Sequence, residues 1–181
     1  MPSHVHRLFF ALRPDDVVRE QIVRTAAELK DAQQIRGRWL DPAKLHMTVQ
    51  FLGDFINADE VVPRAIRAAT SLHVAPFEFA LDRAASLSRH SNSPCVLCCA
   101  PESEAPLQEL ARELRTLLSA AGLGEYLEMR PYVPHLTIAH ARSAIAEPIP
   151  IAPIVWLPRA IALIDSHDGP HAQIGTWPLR A

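Results

Sequence analysis

The chain of 181 residues predicts an α+β fold. Apolar strand-like runs alternate with stretches of helical periodicity, and several of the strands look hairpin-linked rather than separated by a helix. The length suits one compact domain, or one domain of two lobes. A hydrophobic content of 49 % is enough to bury a core without disulfide staples.

The elements follow in order. VHRLFFAL (5–12) reads as a buried strand. Pro14 opens a helix whose first turn holds Asp15 and Asp16, where the helix dipole favours negative charge; Val18, Ile22, Ala26 and Leu29 give its apolar face. GRWLD (37–41) is a short strand or turn, and LHMTVQFL is a strand ended by Gly53. Asn57 and Glu60 resemble a capping box before a helix with Val62, Ile66 and Ala69 on one face. Strands are expected at 76–87 and 95–100, with a loop at 88–94 between them. Ser103 precedes a leucine-faced helix (Leu107, Leu110, Leu114, Leu117, Leu118) that Gly122 stops. HLTIAHA (135–141) is a strand, and 143–153 a proline-rich loop. The segments from Trp156 and from His171 form a terminal hairpin around Asp168, Gly169 and Pro170.

Two tetrapeptides match: His46-Met47-Thr48-Val49 and His135-Leu136-Thr137-Ile138, 89 residues apart. The same offset aligns Ala11 with Ala100, each ending a strand, and a helix lies between each such strand and its tetrapeptide. The chain therefore reads as two copies of strand–helix–strand, at about 5–53 and 95–142, within a single bilobed domain spanning 1–181. A pseudo-twofold axis would set the two His/Thr faces against each other across a cleft. A lone histidine beside a threonine is more often structural. Two in equivalent places would each need separate polar partners if buried, which favours function.

Two facing imidazoles suit concerted proton transfer, because a pKa of about 6.5 makes both protonation states accessible near neutrality. A neutral ring removes a proton from water while a charged one protonates a leaving oxygen. Threonine hydroxyls on the same face can donate to non-bridging phosphate oxygens. Zinc would need ligands that neither tetrapeptide supplies, so no metal is expected.

A net charge of −2 advertises no long basic surface for nucleic acid. Any RNA would be gripped at one or two nucleotides. Cys95, Cys98 and Cys99 read as reduced thiols suited to a cytoplasmic location, since adjacent strand residues point to opposite faces. No signal peptide and no membrane span is expected.

The stretches RLFFALRPDD, RWLDPAKLHMTVQFLGDF, RPYVPHLTIAHAR and ALIDSHDG…WPL fall where the 2H phosphoesterases have their blocks. The chain resembles that superfamily over nearly its whole length, and in detail its RNA 2′,3′-cyclic phosphodiesterases, also called 2′-5′ RNA ligases. The resemblance implies antiparallel sheets lining a central cleft with helices outside. It implies hydrolysis of a terminal 2′,3′-cyclic phosphate to a 2′-phosphomonoester without metal or other cofactor, and in some members the reverse 2′-5′ joining. It casts His46 as general acid, His135 as general base, and Thr48 and Thr137 as phosphate ligands. It makes Phe51 and the residue five after the second histidine bracket the terminal base.

That second position is His140 where the family has Arg, and Val133 replaces another common Arg. Arg130 and Arg142 are candidates to compensate, and Tyr132 to contact substrate. A regular strand would, however, turn Phe51 and His140 away from the catalytic face. The remaining histidines read as solvated or flanking turns. Partners are expected to be an RNA terminus or a nucleotide bearing the cyclic phosphate. No obligate protein partner is expected, and the chain is taken as a monomer. The alternatives are a non-catalytic nucleotide-binding module, or a diesterase acting on a small cyclic nucleotide or an ADP-ribose cyclic phosphate.

Overall fold

In a computed structural model, residues 5–166 and 171–181 are described. The order is β1 (His6–Leu12), α1 (Asp16–Ala32), β2 (Gly37–Trp39), β3 (Met47–Phe55), α2 (Val61–Thr70), β4 (Phe79–Ser86), β5 (Ser93–Cys98), α3 (Ala105–Leu118), β6 (Leu136–Ala141), β7 (Ile149–Trp156), β8 (Ala160–Asp165) and β9 (Ala172–Pro178). The strands form one sheet in the order β7-β4-β5-β6-β3-β1-β8-β9, with β2 added beside β6. Every strand pairing among the described residues is antiparallel. This is the sheet-rich α+β fold that the sequence predicts. The junction between β3 and β6 is a single residue pair, Met47 opposite Leu136.

The main core lies between one sheet face and the helices. Helix α1 starts because the Asp15 carboxylate accepts from the Val18 amide at 2.9 Å, and it buries Val18, Ile22 and Leu29. It follows β1 in the chain yet packs against β7. Helix α3 buries Leu107, Leu110, Ala111, Leu114 and Leu118, and packs against β3. Each such leucine contributes about 1.5–3 kcal/mol on burial. The turn after α3 closes at Gly122, whose φ of 81° is readily adopted only without a Cβ.

Several local expectations are revised. Asp15 is the cap of α1 rather than part of its first turn. The Asn57 side chain accepts from the Asp59 amide, so it makes a turn and not a capping box; α2 begins at Val61. Its buried face is Val61, Ala65, Ala68 and Ala69, one position round from the expected face, and Ile66 is exposed. Helix α3 begins after Glu104, beyond a 3₁₀ turn at Pro101–Ser103.

The largest difference is 143–153, expected as loop, of which Ile149 onward is strand β7. β7 is an edge strand paired only with β4, and an edge tolerates the missing N–H groups of Pro150 and Pro153. The terminal hairpin is present as β8 and β9; its expected turn at Asp168, Gly169 and Pro170 lies outside the described residues, as do His4 and His167. His6, expected to be solvated, instead bonds the buried Asp165 at 2.6 Å. Cys95 and Cys99 are buried free thiols, Cys98 is half-buried, and burial pushes the first two up to about 11.

Candidate active site

His46 immediately precedes β3 and is delivered by a 3₁₀ turn at Pro42–Lys44. Asp41 caps that turn by accepting from the Ala43 amide at 2.9 Å, and buried Leu45 anchors it. The His46 Nδ1 donates to the Lys44 carbonyl at 2.7 Å. A carbonyl can only accept, so this bond fixes the proton on Nδ1 and leaves Nε2 for chemistry. His135, immediately before β6, repeats the arrangement, with its Nδ1 donating to the Val133 carbonyl at 2.7 Å. His73 makes the same local bond, to Ser71 at 2.9 Å, on an exposed loop. The tether alone is therefore no signature; two of them beside the strand junction are.

The Met47–Leu136 pair organises the two motifs. Met47 and Leu136 are both fully buried in the main core. Counting one residue outward in antiparallel register sets Thr48 opposite His135 and Thr137 opposite His46. Each half-buried threonine thus belongs with the other motif's histidine.

Both strands then carry a β-bulge at the matching residue. Adjacent Phe10 and Ala11 pair with Gln50 and Thr48, so Val49 is extra; adjacent Cys95 and Val96 pair with Ala139 and Thr137, so Ile138 is extra. The additional residue shifts the alternation by one. Val49 and Leu52 both reach the main core, and so do Ile138, Ala139 and Ala141. Phe51 turns to the other face and packs on a separate cluster of Phe9, Ala11, Ala162 and Ile164. His140, between core-facing Ala139 and Ala141, is likewise on the face away from the core. The obstacle that a regular strand would raise is thereby removed. The residue opposite the threonine is Ala11 in one strand and Val96 in the other, not the Ala100 that a constant offset expects.

Phe9 is the floor beneath the first histidine, stacking on His46 with ring centroids 4.9 Å apart. His171 packs edge-on against His46 at 5.2 Å and against Phe9 at 5.8 Å. Burial holds the His46 imidazole below its ordinary pKa, and the positive charge of Arg13 and repulsion from the His135 imidazolium, when that forms, push it the same way. The bond to the Lys44 carbonyl opposes this and is outweighed. His171 is lowered to about 4, chiefly by burial, then by His46, Lys44 and Arg13. Both shifts favour the uncharged imidazole. Among the described residues no cluster of three or more His, Cys, Asp and Glu is arranged to hold a metal ion.

Residues 14–170 match the model of the 2′-5′ RNA ligase superfamily. The chain belongs to that superfamily. Two relatives named RNA 2′,3′-cyclic phosphodiesterase are similar to this superfamily member, one from Geobacillus stearothermophilus (28 % identical over 72 % of this chain) and one from Archaeoglobus fulgidus (24 % over 75 %). The alignments span 40 % of the Geobacillus protein's length and 73 % of the Archaeoglobus protein's. Escherichia coli LigT, in a structure complexed with 3′-AMP, superposes with a TM-score of 0.78 at 26 % identity, covering 98 % of this chain and 99 % of LigT. TT0787 of Thermus thermophilus shares the fold, with a TM-score of 0.77 at 21 % identity, over 97 % of this chain and 98 % of its own.

Two other residues singled out from the sequence of this 2′-5′ RNA ligase superfamily member are Tyr132 and Arg130. Tyr132 packs against the main core with its hydroxyl buried, which raises its pKa; Cys99 and Glu104 add to the effect. That is a packing role rather than a substrate contact. The Arg130 side chain is 86 % exposed on a loop, 3.9 Å from Glu128. Phe9, Arg13 and His171 were missed, because the ring contacts of Phe9 and His171 with His46 and the influence of Arg13's charge on it come from strand pairing and a distant chain end. Arg38 was also missed, although the short strand at 37–41 was legible; its register places Arg38 directly opposite His140.

Proposed function

We propose that this chain hydrolyses RNA 2′,3′-cyclic phosphate ends to 2′-phosphomonoesters by two-histidine acid–base catalysis. The observation that carries the reading is the pair of imidazoles, each with Nδ1 tied at 2.7 Å to the carbonyl two residues back, and each across from the other motif's threonine. The names of the Geobacillus and Archaeoglobus relatives support the same activity. The matching bulges at Val49 and Ile138 support a single bilobed domain with copies at about 5–53 and 95–142.

In this scheme the Nε2 of neutral His135 takes a proton from water. The water oxygen bonds to phosphorus, the bond from phosphorus to the 3′ oxygen breaks, and Nε2–H of charged His46 protonates that oxygen. Thr48 and Thr137 donate to the non-bridging oxygens, where charge develops. Burial favours the uncharged His46 ring, so in this scheme the anionic phosphate supplies the counter-charge that protonates it on binding. Phe51 offers an apolar face for the terminal base, and His140 brackets it from β6. In 2′-5′ joining a 5′ hydroxyl takes the place of water. His135 removes its proton, its oxygen bonds to phosphorus, the bond to the 3′ oxygen breaks and His46 protonates that oxygen, so acid and base keep their roles.

The test is incubation with an oligoribonucleotide ending in 2′,3′-cyclic phosphate, in the presence of EDTA. A 2′-phosphate end is expected. A 3′-phosphate product, or loss of activity with EDTA, overturns the mechanism. Binding without turnover would establish the nucleotide-binding module instead. No helix among the described residues is long and apolar enough to cross a membrane; we place the enzyme in the cytoplasm as a monomer.

A further inference from the structure

Where β2 pairs with β6, an open depression of about 590 Å³ is lined by Gly37, Arg38, Asn92, His140 and Arg142. None of these residues is acidic, in a chain whose net charge is −2. Among the described residues neither Arg38 nor Arg142 has an ion-pair partner, and both are exposed. Glu147 lines a separate hollow, to which Arg36 and Arg142 also contribute.

The position of this charge is built, not incidental. β2 is three residues long and pairs with β6 so that Arg38 is opposite His140 and Trp39 opposite Ala139. Trp39 and Ala139 turn to the core, so Arg38 and His140 share the face away from it. The strand is pinned by amide bonds from Leu40 to the Ile138 carbonyl at 2.9 Å and from Arg142 to the Arg36 carbonyl at 2.8 Å. Gly37 is required for the approach, since a Cβ there would lie 2.2 Å from the His140 carbonyl oxygen. From His135 to His140, with one bulged residue, β6 advances roughly 13 Å.

We infer that the Arg38–Asn92–His140–Arg142 depression binds the phosphodiester upstream of the terminal nucleotide. The inference rests on the reading of the histidine pair as the site of the cyclic phosphate. A mononucleotide takes its single phosphate to the threonines and leaves nothing anionic for the two guanidiniums. A chain brings further phosphates along the same face, and a guanidinium can hold one through two parallel bonds. This also gives the positive charge absent at position 140 another source, one strand away.

The test compares wild type, Arg38→Gln and Arg142→Gln on a pentaribonucleotide ending in 2′,3′-cyclic phosphate and on the matching nucleoside 2′,3′-cyclic phosphate. The loss of kcat/KM on the pentanucleotide is expected to exceed that on the mononucleotide by about tenfold, the size of one charge-assisted hydrogen bond. Its logarithmic salt dependence should become shallower by about 0.7 for each guanidinium removed. Equal losses on both substrates, or none on the pentanucleotide, overturn the subsite. If wild type turns over neither substrate, the diesterase reading fails, and fluorescence anisotropy decides the subsite separately. Weaker binding of a 3′-phosphorylated pentanucleotide by the variants supports it, and equal binding overturns it.

Discussion

Met47 and Leu136 are the residues through which β3 and β6 meet, and each is the second residue of its His-x-Thr-x motif. The pair is fully buried on the core side, so the flanking histidines and threonines are driven to the other side together. One contact therefore sets the spacing of both motifs.

The first expectation concerns turnover. His46→Ala and His135→Ala should each lower kcat by at least about 10²-fold. Thr48→Val and Thr137→Val should each cost on the order of 10²-fold, as removal of one oxyanion donor does. Steady-state kinetics on a cyclic-phosphate oligonucleotide checks this. Near-normal turnover in either histidine variant contradicts the scheme.

The second concerns protonation. In the free protein His46 should titrate below the ordinary imidazole value of 6.5, followed by NMR of its ring protons. Arg13→Gln removes one of the charges that lower it, so its midpoint should rise. Adding a 3′-nucleotide should raise it as well, because the phosphate stabilises the charged ring. A midpoint that ignores both changes would mean the ring does not face the cleft.

The third concerns stability. His171 has a folded pKa of about 4 against an ordinary value of 6.5, so at intermediate pH the unfolded chain binds the extra proton. Stability should be free of this penalty above about 6.5 and decline as pH falls toward about 4. His46 acts in the same direction. In His171→Gln the fall of Tm between those limits should be shallower than in wild type. An unchanged slope in thermal melts would refute the assignment.

The fourth concerns Phe51. It belongs to the small cluster around Phe9 and not to the main core. Phe51→Ala should weaken binding of a terminal nucleotide while costing less than the about 3–5 kcal/mol of a core phenylalanine. Denaturant melts with parallel binding measurements check it. Global unfolding would return Phe51 to a packing role.

Much of the fold was legible because its elements carry their own signals. Strands 5–12 and 135–141 are bounded apolar runs, and the leucine face of α3 is periodic. The strand at Ile149–Trp156 was hidden because prolines ordinarily end strands, and only its edge position makes them tolerable. Helix α2 was misphased because Asn57 serves a turn, a local competition that the residue types alone do not decide. In the site, His46, Thr48, His135 and Thr137 stood out through repetition. Arg13, Arg38 and His171 did not, since their proximity is produced by pairing between distant segments. The face reached by Phe51 and His140 was also beyond the pattern. Alternation counts residues, whereas a bulge changes the count.

The order of strands has a practical corollary. If the chain were cut in the loop between β4 and β5, each fragment would keep one histidine motif. Neither would keep a contiguous sheet, because β4 lies between β7 and β5, and β8 lies beside β1. The helices are exchanged in the same sense, α1 against β7 and α3 against β3. Two such pieces should be unfolded apart and should assemble on mixing, which makes this scaffold a natural split reporter whose signal requires both halves in one place.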